Sequence, residues 1–404
     1  HPRPPSPAPP AAPASLPGSA GERVVLLGLD GILAEEFDYL LARGSLRTMA
    51  RLVDGGAVVA SYRRTAEVEP AEFWTTVATG VGGARHGVRA FDSFRPLGLE
   101  TALARSGPWR AWWSRVALPL GLAEHRPLLA NRRTAFTFWE LSARGGAPAA
   151  VVDWWATFPP VPLAGLVVSH GAFQLLLDGH PGAVSPADRT ADLARLARAI
   201  EPGPAGATLA AALPTDLARE LLRRAVLPDR FYREVARIEA VKRPQAMALY
   251  LPAIDLVAEG WVGGDVALAD LVRAELEETD ALVGELADGL GTMIVVLDPG
   301  RRNGKEGRVL IARSPGAAVP DPAVSRPAAC RMEAGLTVVP EALASALIRS
   351  LGLPQSAELP EPPAFCTWPL PPARLAGYGA RAPNSEMPGD SRDYLENLRS
   401  LGYL

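Results

Sequence analysis

Val24-Val25-Leu26-Leu27-Gly28-Leu29-Asp30-Gly31 is an apolar run closed by an acid and a glycine. A run with no polar alternation is the pattern of a strand buried on both faces, as in a parallel sheet covered by helices. Such a strand delivers Asp30 to the carboxyl edge of the sheet, where open α/β folds build their sites. Further runs of the same kind follow: Ala57–Tyr62, Ala147-Pro148-Ala149-Ala150-Val151-Val152-Asp153, Gly165–Ser169, Ala246–Ile254 ending at Asp255, Met293–Leu297 delivering Asp298, and Arg308–Ile311. Between them, helical spacing is read over 34–54, 74–80, 136–144, 176–245, 266–290 and 339–352. Strands alternating with helices predict an α/β fold whose mostly parallel sheet carries helices on both faces. Residues 95–130, rich in arginine and tryptophan, give no clear element.

The 404 residues, 48% of them apolar, suffice for one large α/β domain with an insertion. A net charge of −3 gives no chain-wide electrostatic case for nucleic acid or an anionic membrane. No apolar run is long enough for a membrane span. Residues 1–21 are dominated by Pro, Ala and Ser, the composition of a disordered tether. A tether behind a cleaved export signal or lipid-anchor site has this form. The two cysteines, Cys330 and Cys366, fit no zinc spacing. They are either two thiols or a disulfide across the C-terminal segment, the latter needing an oxidising compartment.

Three blocks together carry a resemblance: the first strand ending in Asp30-Gly31, then Phe73-Trp74-Thr75-Thr76-Val77-Ala78-Thr79-Gly80 with Arg85-His86-Gly87-Val88, and Val151-Val152-Asp153 followed by Trp154-Trp155-Ala156-Thr157-Phe158-Pro159. In this order they resemble the alkaline phosphatase superfamily, in its type I phosphodiesterase/nucleotide pyrophosphatase branch. The Trp-Trp-Ala-Thr block resembles one bacterial subgroup. The resemblance spans about residues 22–92, 136–170 and 246–352. It implies an alkaline-phosphatase-like core over 22–175 and 246–352, a helical insertion or cap over 176–245, and a Pro-rich tail with a terminal helix over 353–404. It also implies hydrolysis of phosphoric esters by two metal ions and a Ser or Thr nucleophile, and a periplasmic or cell-surface habitat.

Much of the implied chemistry has no residue to carry it. Asp30 matches the first metal ligand. The nucleophile position falls on Pro70, or on Glu69 with a one-residue insertion, and neither is a hydroxyl. Thr65 lies too far upstream, while Thr75 and Thr76 match structural threonines of the motif. Asp255 matches a second ligand, but Glu259 stands where a His is expected. Asp298 matches a third, but Pro299 replaces its His. The loop Arg301-Arg302-Asn303-Gly304-Lys305-Glu306 lacks the last one. The five histidines are His1, His86, His125, His170 and His180, and none matches a ligand position. His170, in Val168-Ser169-His170-Gly171, mimics a ligand corner on the wrong strand.

Three readings stand open. In the first, the chain has lost catalysis and binds an unidentified ligand or protein partner. A guanidinium from Arg301 or Arg302, or the ammonium of Lys305, then takes a former metal position beside Asp30 or Asp298. In the second, Asp30, Asp255, Glu259 and Asp298 form an all-oxygen site for Mg²⁺, Mn²⁺ or Ca²⁺, with zinc disfavoured, and Glu69 or Glu72 acts as base on a metal-bound water. In the third, the resemblance is set aside and the acids are ordinary turn caps of an exported α/β structural or interaction domain.

Overall fold

Strand β1, Val24–Asp30, is buried at every position in a computed structural model of the chain. The structure describes residues 16, 21–65, 68–98, 103–104, 112–259, 261–262, 264–302, 304–313, 330–331, 333, 335–381, 394, 396 and 398. The other strands are β2 (Val58–Arg63), β3 (Asp92–Pro96), β4 (Leu103–Ala104), β5 (Ala123–Pro127), β6 (Ala149–Trp154), β7 (Gly165–Ser169), β8 (Val184–Ser185), β9 (Ala246–Leu251), β10 (Thr292–Asp298), β11 (Glu306–Arg313), and the parallel pair β12 (Gln355–Ser356) and β13 (Arg374–Leu375). Eight of them make one sheet in the order β2-β11-β10-β1-β9-β6-β7-β8. The central five, β10 to β7, run parallel, and β11 and β8 are antiparallel to their inner neighbours. The apolar runs Val24–Leu29, Ala246–Leu251 and Met293–Leu297 are buried throughout, as expected of strands covered on both faces.

Local chemistry sets the element boundaries. The helical spacing over 34–54 divides into helices Ala34–Ala42 and Arg47–Asp54, because Gly44 turns the chain left-handed between them. The helix read over 74–80 begins earlier, at Pro70, since proline's fixed φ suits a first turn and Glu69 precedes it in an extended conformation. Helix Phe138–Arg144 starts at a capping box in which Thr137 and Glu140 satisfy each other's backbone N–H groups. The unassigned stretch holds a separate three-stranded antiparallel sheet, β4-β3-β5.

The segment 176–245 contains helices Thr190–Ala199, Gly203–Ala212, Thr215–Leu221 and Leu227–Val241. It also supplies β8 to the main sheet, and its last helix packs on β6 and β9. Leu16, inside the expected tether, is buried, and its N–H donates to Arg144 O at 3.3 Å; the rest of 1–20 lies outside the described residues. Cys330 and Cys366 form a disulfide. Of the terminal helix, Tyr394, Glu396 and Leu398 are helical. Tyr394 stacks on Phe158 at 4.2 Å, and Leu398 is fully buried. The remainder of that helix, Asp393 included, lies outside the described residues.

Candidate functional site

Parallel pairing in register places Asp30 and Asp298 side by side at the carboxyl ends of β1 and β10. On the other side of β1, β9 ends at Leu251, and Asp255 follows in the first turn of helix Ala253–Glu259. The turn after β1 passes so close to this helix that a Cβ on Gly31 would lie 2.2 Å from the backbone nitrogen of Asp255. Its φ of +83° independently favours glycine. The turn after β10 approaches equally closely. A Cβ on Gly300 would lie 2.2 Å from Asp255 Oδ1 and 2.6 Å from Asp30 Oδ1. Two carboxylates thus converge on one backbone turn, and Asp298 opens the same turn.

Each acid is engaged by the protein itself. Asp30 Oδ2 accepts from Trp74 Nε1 at 3.0 Å and Tyr250 OH at 2.7 Å, and Oδ1 accepts from Gly31 N at 3.0 Å. Asp298 accepts from Tyr62 OH at 2.7 Å, from Gly300 N at 3.0 Å and from Arg64 Nε at 3.1 Å. Asp255 accepts from Arg301 twice, from its backbone N at 2.7 Å and its Nε at 2.9 Å. The same guanidinium reaches Glu259 at 2.5 Å. Burial, with the charges of Asp255 and Asp298 beside it, raises the Asp30 carboxyl well above the ordinary range. Burial also raises Asp255, although Arg301 pulls it back.

Arginines do stand beside the acids, but their pairing differs from the expectation. Arg301 serves Asp255 and Glu259, not Asp30 or Asp298. Arg302 forms a bidentate pair with Glu36 at 2.6 and 2.7 Å and donates to Gly31 O at 2.8 Å, clamping the turn after β1 to the loop after β10. The Lys305 side chain is exposed, while its carbonyl accepts from Arg64 N at 2.9 Å. Asp298 takes its cation from Arg64, just beyond β2, whose guanidinium lies 4.9 Å from the Phe73 ring. Asp30 receives neutral donors in place of a cation.

Sequence reasoning missed Tyr62, Arg64 and Tyr250. Tyr250 was legible only as an aromatic near a strand end, and Arg64 as one of two arginines closing β2. Tyr62 stacks on Phe73, and Trp74 packs edge-on against Trp154 and Tyr250, so the donors to Asp30 and Asp298 belong to one aromatic layer.

Both motif threonines are hydrogen-bonded within the fold. Thr75 donates to Ala71 O at 2.6 Å, one turn back, and Thr76 Oγ1 sits 3.0 Å from His86 Nε2. His86 Nδ1 accepts from Val88 N, so the ring is neutral with its proton on Nε2. The Arg-His-Gly turn therefore locks the Trp-Thr-Thr helix. Glu69 and Pro70 stand at the N-terminus of that helix, and Glu72 is tied to the backbone of Gly83. His170 lies beyond β7, three strands from β1, stacked on Trp155 at 4.1 Å and beside Asp153.

The family model for type I phosphodiesterase / nucleotide pyrophosphatase matches residues 24–297. The chain belongs to that family. Its fold is α/β, an eight-stranded and mostly parallel sheet with helices. Among solved structures it is similar to phosphonoacetate hydrolase from Sinorhizobium meliloti 1021 in complex with phosphonoformate, at 14% identity and a TM-score of 0.41, covering 71% of this chain and 57% of that one. It is similar also to murine ectonucleotide pyrophosphatase / phosphodiesterase 5, at 14% identity and a TM-score of 0.38, covering 69% and 57%. The chain thus spans a little over half the length of these two proteins. None of the curated proteins matches it.

Proposed function

We propose that this family member no longer hydrolyses phosphoric esters and that its former metal cleft serves structure and binding. The observation that carries the reading is that Asp30, Asp255 and Asp298 all have their oxygens engaged by built-in donors, two of them by guanidinium groups. The metal ions that the family implies do not fit this donor set. A cation would have to displace Arg64 and Arg301 from buried carboxylates, and the Gly300 turn leaves no room for a methyl group beside Asp30 and Asp255. Among the described residues no imidazole supplements the acids, and no group of three or more His, Cys, Asp or Glu is disposed to hold a metal ion. The threonines that could attack are spent on internal hydrogen bonds.

We place the protein outside the cytoplasm, on the support of its disulfide and of the Pro-rich segment that precedes the domain. No helix among the described residues is long and apolar enough to cross a membrane.

The test is to purify the full chain, measure its bound metal by elemental analysis, and assay aryl phosphate mono- and diesters with Mg²⁺, Mn²⁺, Ca²⁺ and Zn²⁺. Neither stoichiometric metal nor turnover is expected. Turnover abolished by Asp298→Ala would overturn the reading and restore the all-oxygen hydrolase.

A further inference from the structure

Pro228 lies in the first turn of helix Leu227–Val241. It has no N–H to give to Arg224 O, four residues back, and its ring crowds that carbonyl. The chain answers with a wider π-helical turn over Leu222–Val226, in which Leu227 N donates to Leu222 O. Turns of this kind are frequent at functional sites. This one carries Arg223 and Arg224, and both line a small cavity of about 20 Å³ against helix Ala172–Leu177. Phe173, Pro228 and Tyr232 form its apolar wall. Tyr232 OH accepts from Phe173 N at 3.1 Å, which fastens together the two helices that supply this wall.

The two arginines differ from their neighbours in charge compensation. On the same helical run Arg219 pairs with Asp216, Arg230 with Glu278, Arg233 with Glu275 and Arg237 with Glu285. Among the described residues no carboxylate pairs with Arg223 or Arg224, and no acidic side chain lines the cavity. Arg224 Nη2 is fixed on Leu256 O at 2.8 Å, while its Nε is buried with no hydrogen-bond partner among the described residues. A buried guanidinium N–H without an acceptor is costly. Arg223 is exposed, so the cavity is open to solvent on its side.

We propose that the cavity between helix Ala172–Leu177 and the π-helical turn binds a phosphate group, either the free ion or the head of a phosphomonoester. Guanidinium forks match phosphate oxygens, and a charge of about −1.5 to −2 near neutral pH balances two arginines where a carboxylate balances one. The cavity is small enough to take one head group and not a whole nucleotide. It shares no residue with Asp30, Asp255 and Asp298, so the proposal holds whether or not the chain hydrolyses esters.

Inorganic phosphate, glycerol phosphate and acetate are titrated into the full chain by calorimetry at constant ionic strength. Saturable binding of at least one of the two phosphates is expected, with acetate about tenfold weaker. Whichever phosphate binds more tightly identifies the source. Arg224→Met should weaken binding about tenfold, and Arg223→Met several-fold. Thermal unfolding without phosphate checks that both variants fold. Arg223 has no partner to lose among the described residues, so its variant should unfold as the wild type does. No saturable binding of either phosphate, or acetate bound as tightly as phosphate, would overturn the proposal. So would binding undiminished in both variants, which would put the phosphate elsewhere on the chain.

Discussion

Replacing Arg64 by Met tests whether a guanidinium holds the carboxyl edge of this sheet together. The pair it forms with Asp298 is buried on both sides, with side-chain exposures of 6% and 0%. Met retains most of the aliphatic stem, so the loss is mainly electrostatic. Asp298 would keep Tyr62 OH and Gly300 N as donors but lose its only cation among the described contacts, with Asp30 in register beside it. Removing one partner of a buried pair costs about 3–5 kcal/mol, because a charge is left unpaired in a poorly polarisable site. Loss of the guanidinium over the Phe73 ring adds about 0.5–1 kcal/mol. Asp298→Asn removes the charge and preserves the shape, so Arg64→Met should cost about 2 kcal/mol less in that background. Urea unfolding of the wild type, both single variants and the double variant yields the coupling from the midpoints, provided the m-values agree. A loss below about 1 kcal/mol for Arg64→Met, the range of an exposed pair, would refute the reasoning.

Three further outcomes follow from the same geometry. Gly300→Ala should destabilise by about 2–4 kcal/mol, since it combines a φ of +57° with a methyl group driven against Asp255 and Asp30; unchanged unfolding would mean that the two carboxylates do not converge there. Cys366→Ser opens a disulfide spanning 36 residues and should cost about 3–4 kcal/mol in denaturant, a loss that reducing agent reproduces in the wild type. Stability should also fall with acid. Burial and the nearby Arg133 charge lower His86 to about 3, so below pH 6.5 the unfolded chain takes up a proton that the folded ring refuses, and stability is lost progressively from pH 6.5 towards 3. Burial pushes Glu140 up, but Arg133 and Arg381 more than reverse it, to about 2, so its contribution is present above 4.5 and lost as pH falls towards 2. The raised carboxyls of Asp30 and Asp255 act in the opposite direction, so the comparison of interest is His86→Gln with wild type between pH 7 and 5, where the variant should show the flatter profile.

What the amino-acid sequence determined by itself was the set of strands and the acids at their ends. Apolar runs such as Val24–Leu29 and Met293–Leu297 can be satisfied only inside a covered sheet, and the residue ending each run must then lie on its edge. The sequence also shows no Ser or Thr over residues 66–73 ahead of Trp74, and Glu259 and Pro299 where the family resemblance implies histidines. The partners of the acids were a different matter. Asp298 found its cation in Arg64, some 230 positions away, because β11 runs antiparallel between β10 and β2 and so brings the end of β2 to the same edge. Asp30 took its donors from Trp74 and Tyr250, which local periodicity reads simply as core. Strand order and register decided these contacts. A chain can specify through local pattern that a charge will be buried at an edge, but which side chain answers it depends on which strands become neighbours, and that is settled by the packing of the whole sheet.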